Sequence, residues 1–156
     1  KQILRFEHSL VSLSKWEAKW NKAFLGREEK SNEEILDYVR CMVTSPVSDN
    51  SVFDHLTREN FKAIDEYIGA PMTATHIYEG DRTPSRETIT SEVIYYWMIA
   101  LNIPFECQKW HLNRLLTLIR VCNIKSQPPK KLSASQIASR NAALNAARRK
   151  QLNSKG

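Results

Sequence analysis

The period of apolar and polar positions changes several times along the chain, and each change predicts an element. Residues 2–8 alternate, with Leu4 and Phe6 on one side and Arg5 and Glu7 on the other, which is the period of a short strand. Ser14 with Glu17 three residues on reads as a capping box, since each side chain would satisfy a backbone N–H left free at a helix start. That helix carries Trp16 and Trp20 one turn apart and stops by Gly26. Ser31 and Glu34 form a second box ahead of Ile35, Leu36, Val39 and Met42, an amphipathic spacing. Pro46 lies in a loop over 44–50, Thr57 caps a third helix with Phe61, Ile64 and Ile68 inward, and Gly69 with Pro71 ends it. Residues 72–78 read as strand or extended chain, and 79–86, with Gly80 and Pro84, as a loop.

The most apolar stretch follows. Thr88 or Thr90 caps a helix through Val93, Ile94, Trp97, Met98 and Leu101. Tyr95, Tyr96 and Ile99 extend its apolar surface nearly all round, which predicts burial on several sides. Pro104 suits the first turn of a further helix over 105–123, whose stripe is Leu112, Leu115, Ile119 and Cys122, with Trp110 on another side. These two are expected to form an antiparallel hairpin, with Trp97 and Trp110 buried in it. Pro128 and Pro129 stiffen a lysine-rich linker. Ser133 or Ser135 then caps an Ala-rich last helix, 136–150, with few large apolar residues. The expected fold is therefore mainly α. It is a helical bundle with a central antiparallel helix hairpin, a short N-terminal strand or extended element, and a peripheral C-terminal helix. Residues 1–124 make the helical core, 125–132 the Pro/Lys linker, and 133–156 a basic helical arm.

Charge sharpens this division. Residues 1–106 hold 12 Lys+Arg against 17 Asp+Glu, whereas 107–156 hold 11 Lys+Arg and no acid; Glu106 is the last acidic residue. The C-terminal part thus calls for an acidic partner surface or nucleic acid, unless it docks on the acidic part of its own chain. With 42% apolar and 26% charged residues in 156, a wholly disordered or fibrous chain is excluded and one domain is the default. No apolar run approaches the ~20 residues that span a bilayer, so no membrane partner is expected. No signal-peptide pattern is visible. Beginning at Lys1 rather than Met, the chain is expected to lack some of its natural N-terminus. Three scattered cysteines, Cys41, Cys107 and Cys122, point to buried thiols in a reducing cytosol.

Catalytic chemistry finds little footing. The four glycines lie far apart, and neither His-Glu-x-x-His nor Cys-x-x-Cys occurs. Cys107 and His111, i and i+4 on one helix face, are a candidate metal pair. Zinc needs about two more ligands, and only Cys122 is near in sequence. Core packing is the better reading, and no metal or cofactor is expected. Glu28 with Glu29, and Glu33 with Glu34, read as helix-start acids rather than acid–base pairs. The four tryptophans sit among aliphatic neighbours and read as core rather than base-stacking platforms.

Longer strings carry a resemblance. Residues 6–20 (FEHSLVSLSKWEAKW), 37–42 (DYVRCM), 71–75 (PMTAT), 91–124 (SEVIYYWMIALNIPFECQKWHLNRLLTLIRVCNI), 128–131 (PPKK) and 140–149 (RNAALNAARR) resemble the tail assembly chaperones of long-tailed (siphovirus-type) bacteriophages and prophages. The family pattern has a further stretch before Phe6. The resemblance implies a non-enzymatic protein of the host cytoplasm that coats the tape measure protein, helps deliver major tail protein subunits to the tube, and leaves. An apolar groove and adaptable charges would suit that role, and a homo-oligomer is compatible with it. Two readings stand beside it: a virion structural protein (head–tail connector or tail component), and a nucleic-acid-binding module using the basic arm. The second lacks interleaved aromatic residues.

The candidate partner contacts are Lys130, Lys131, Arg140, Arg148, Arg149 and Lys150. Ending the chain after Ser126 is expected to leave the core folded by thermal melting. Partner capture is expected to weaken, and to differ less from the full chain at high salt, where exposed charges are screened.

Overall fold

A computed structural model of the chain describes residues 3–77, 87–128 and 133–152. Among these residues the protein is mainly α. The helices are α1 (Leu10–Trp20), α2 (Asn32–Met42), α3 (Arg58–Gly69), α4 (Ser91–Ala100), α5 (Leu112–Ser126) and α6 (Ala134–Leu152), with 3-10 helices at Asn50–His55 and Phe105–Lys109. The chain divides into two compact units, Lys1–Ile124 and Lys125–Gly156. No helix among the described residues is long and apolar enough to cross a membrane.

In the first unit the centre is α1, on which α2, α4 and the second 3-10 helix pack. Its cap is Ser9, which exchanges hydrogen bonds with Ser12, and not the expected Ser14–Glu17 pair. Glu17 is unavailable for capping its own helix. One of its oxygens accepts the Phe24 N–H (2.9 Å) and the other the Ser91 N–H (2.7 Å) at the start of α4. Leu10, Leu13 and Trp16 are fully buried, and the Trp16 indole donates to the Glu34 carbonyl at 2.8 Å.

The Ser31–Glu34 capping box forms as expected. Val39 and Met42 turn inward, but Ile35 is exposed and Tyr38 is buried instead. Thr57 caps α3 with Asn60. No residue of α3 is fully buried; Ile64, Tyr67 and Ile68 pack against the core from one side.

Thr90 caps α4. The helix is not enclosed all round: Ser91, Ile94 and Met98 are buried, while Tyr96 and Ile99 are exposed. Its end is a Schellman turn. Asn102 adopts a left-handed conformation (φ 52°), its N–H bonds the Ile99 carbonyl, and the Ile103 N–H bonds the Met98 carbonyl. Buried Ile103 joins Met98 in the core.

The single helix expected over 105–123 is two elements. A 3-10 helix follows Pro104, the chain extends at Trp110, and α5 starts at Leu112. The break has a long-range cause: Ser9 and His111 form an antiparallel bridge, and the Leu112 N–H donates to the His8 carbonyl at 2.7 Å. That bond removes a donor from any continuous helix. Leu112, Leu115 and Ile119 still face the core as the stripe predicts, with Cys122 packed beside them.

Of the N-terminal strand or extended element expected, the chain forms the extended element, with isolated bridges. Phe6 pairs with Val43, the Glu7 N–H donates to the Met42 carbonyl, and the Thr44 N–H to that of Arg5. Residues 71–77 form no strand either; Met72 has a left-handed backbone (φ 49°) there. The expected loop over 79–86 lies outside the described residues. In the second unit, Ser133 caps α6 with Gln136, and no residue of α6 is buried.

Trp97 and Trp110 are only half-buried at the edge of the core; Trp16 is the enclosed tryptophan. Trp110 carries the Arg114 guanidinium 4.2 Å above its ring, a placement that holds one face near the surface. Trp16→Ala is therefore expected to cost about 3–5 kcal/mol in denaturant unfolding. Trp110→Ala is expected to cost less than half as much.

Candidate functional site

A groove of about 900 Å³ opens along α3. Leu4 and Phe6 of the extended segment form one wall, Val52, His55 and Leu56 another, and Asn60, Ala63, Ile64 and Tyr67 of α3 the third. The α3 residues recur at i, i+3, i+4 and i+7, so they share one helix face. The 3-10 wall is pinned by buried Phe53, over which the Arg40 guanidinium lies at 5.5 Å.

What positions α3 is a polar clip at its C-terminal end. The Asn113 amide donates to the carbonyls of Ile68 (3.0 Å) and Ala70 (2.8 Å). Asn113 also presents its backbone N–H to His111 Nδ1 (3.2 Å), which makes that nitrogen the acceptor. The ring proton therefore sits on Nε2, which donates to the Tyr67 carbonyl at 2.9 Å. The Tyr67 hydroxyl donates to Glu7 at 2.7 Å; burial and then Glu7 push this phenol up to about 12.

Behind the clip lies a buried aromatic seam. The His8 and His111 rings meet edge to face at 5.1 Å, and His111 meets Tyr67 the same way at 4.9 Å. His8 Nδ1 shares a 2.6 Å hydrogen bond with the Tyr38 hydroxyl, which also lies 3.4 Å from Ser12 Oγ. Burial, and then the neighbouring His111, lower the His8 pKa to about 4. Burial raises the Tyr38 phenol.

On the α1–α2 side, Lys22 pairs with Glu34 and holds that carboxyl below its usual range. Burial works to raise Asp37, but hydrogen bonds from Lys19 and Trp20 hold it low. These contacts brace α1 against α2.

The expected partner residues lie elsewhere. Lys130 and Lys131 fall outside the described residues, while Arg140, Arg148, Arg149 and Lys150 are exposed on α6. Successive helical residues turn by about 100°, so Arg148, Arg149 and Lys150 fan around the axis instead of forming one face. The candidate metal pair is not brought onto one helix face, because the chain breaks between Cys107 and His111. Both His111 nitrogens are engaged as described. Among the described residues, no group of three or more His, Cys, Asp or Glu comes together. Cys41, Cys107 and Cys122 form no disulfide there; Cys107 is buried, and burial raises its thiol pKa.

Sequence reasoning passed over the groove. Its α3 face mixes Asn60, Ala63, Ile64 and Tyr67, which the apolar-stripe rule discounts, and its 3-10 wall is too short to leave a period. The readable signal was Tyr67, an aromatic with a polar tip beside Ile64 on a helix otherwise rich in charge. No family model, curated protein or solved structure matches the chain.

His8 gives a pH test. A base whose pKa is depressed by folding binds its proton more readily when unfolded, so its neutral form stabilises the fold above the unfolded pKa. That contribution is lost as pH falls from about 6.5 toward 4, ~3 kcal/mol in all. Unfolding midpoints are expected to drop across this window in the native chain, and to drop less steeply in His8→Gln.

Proposed function

We propose that the protein is a non-enzymatic assembly chaperone whose groove along α3 receives the apolar face of a partner helix. The observation that carries this reading is the groove itself. It is open and walled mainly by Leu4, Phe6, Val52, Leu56, Ala63 and Ile64, with the His55, Asn60 and Tyr67 side chains also lining it. A helix with anchors at i, i+3, i+4 and i+7 is the ligand such a surface takes. The surrounding charges serve orientation and encounter more than affinity.

Within that class, the resemblance of the strings quoted above to siphovirus-type tail assembly chaperones supports a particular role. The protein binds the tape measure protein, recruits major tail protein subunits during tail morphogenesis in the host cytoplasm, and then departs. The exposed basic residues of α6, Arg140, Arg148, Arg149 and Lys150, supply a second, salt-sensitive contact.

The test is co-purification of tape measure and tail-tube proteins with the native chain and with Ala63→Trp, which fills the groove from an exposed position. Capture is expected from the native chain and is expected to fall at least tenfold in Ala63→Trp, with the melting temperature unchanged. Equal capture by both would remove the groove from the contact. Stoichiometric presence in purified virions would favour a virion structural protein instead.

A further inference from the structure

We infer that, in the absence of a partner, the groove along α3 is occupied by helix α6 of a second copy of the chain. The inference goes beyond the chaperone reading and does not need it, since no other protein takes part.

Each copy carries both halves of such a contact. On α6, Ile137, Leu144 and Leu152 are exposed. Their spacing of i, i+7 and i+15 keeps them within about 80° of one another around the axis. The line is long enough to seat at least two anchors: Ile137 and Leu144 are about 10 Å apart along the helix. The groove offers apolar walls and room for several aliphatic side chains.

Charge selects this occupant. From Cys41 to Thr57 the chain carries Asp49 and Asp54 and no Lys or Arg, and the cation placed against the 3-10 wall is Arg40, held over Phe53. On α3 the helical spacing puts Glu59 on the flank of the groove-facing line and Arg58 on the far side, while Glu66 pairs with Lys62 at 3.9 Å. In contrast, α6 carries Arg140, Arg148, Arg149 and Lys150 and no acid. A basic helix with an aliphatic line thus meets an apolar groove near which Asp49, Asp54 and Glu59 are, among the described residues, acids not paired with a cation. Because helix and groove are different surfaces, the contact is heterologous. It closes by reciprocal exchange between two copies or propagates into larger assemblies.

The experiment uses the full chain without any partner. Sedimentation velocity from micromolar to hundreds of micromolar is expected to show apparent mass rising with concentration and falling when salt is raised. Ala63→Arg in the groove and Leu144→Gln on α6, both exposed positions, are each expected to shift association at least tenfold toward monomer. Melting temperature serves as the control for folding. In a second measurement, an isotopically labelled Ala63→Cys chain is mixed with an unlabelled Leu144→Cys chain and joined with a short bis-maleimide. A cross-linked peptide pair containing one labelled and one unlabelled partner, with positions 63 and 144 joined, is expected. A monomer at every concentration, association unaffected by both substitutions, or 63–144 links found only within one chain would each overturn the inference. None of these outcomes bears on capture of a tail protein, so the two readings fail separately.

Discussion

Glu17 is the group on which the core depends. A carboxylate buried among Leu13, Trp16 and the start of α4 is costly unless its oxygens are satisfied, and here each accepts one backbone N–H. One bond fixes the turn at Phe24; the other caps α4, where the helix dipole also favours negative charge. Hydrogen bonds to a charged group contribute about 1.5–3 kcal/mol apiece, so this side chain rivals a core aromatic in weight. It sets the rotation of α1, which in turn points Trp16 at the Glu34 carbonyl and draws α2 into place.

The same economy of polar groups runs through the other side of the molecule. The carbonyl of His8 takes the first free N–H of α5, and the rings of His8 and His111 meet behind it. His111 and Asn113 then reach across to the open carbonyls at the end of α3. A start of one helix thereby completes the end of another, with no strand pairing among the described residues beyond two isolated bridges. The groove is the space left beside that junction.

Much of this was legible where the signal is local. The box at Ser31–Glu34, the cap at Thr57, Thr90 of the two caps offered for α4, and the Leu112–Leu115–Ile119 stripe depend on residues within a few positions of one another, and the structure forms each of them. What was illegible depends on distant partners. Glu17 has the spacing of a capping residue for Ser14 but is claimed by Ser91, 74 positions away. Residues 105–123 have the period of one helix, yet the His8 carbonyl intervenes at Leu112. Tyr38 replaces Ile35 inside because its hydroxyl finds His8 and Ser12, which no apolar count reveals. The basic arm was visible as composition, whereas the groove is built from three segments whose proximity only the fold creates.

The attachment of α3 has a consequence for motion. The helix has no fully buried residue, and its polar fastenings gather at Tyr67, Ile68 and Ala70, at its C-terminal end. Few buried contacts and a one-ended tether are the marks of a low-stability cooperative unit. The amides of α3 between Phe61 and Ile64 are thus expected to exchange with solvent through sub-global opening, and those of α1 through unfolding of the whole domain. The α3 wall of the groove is therefore expected to open without unfolding the helices that carry it.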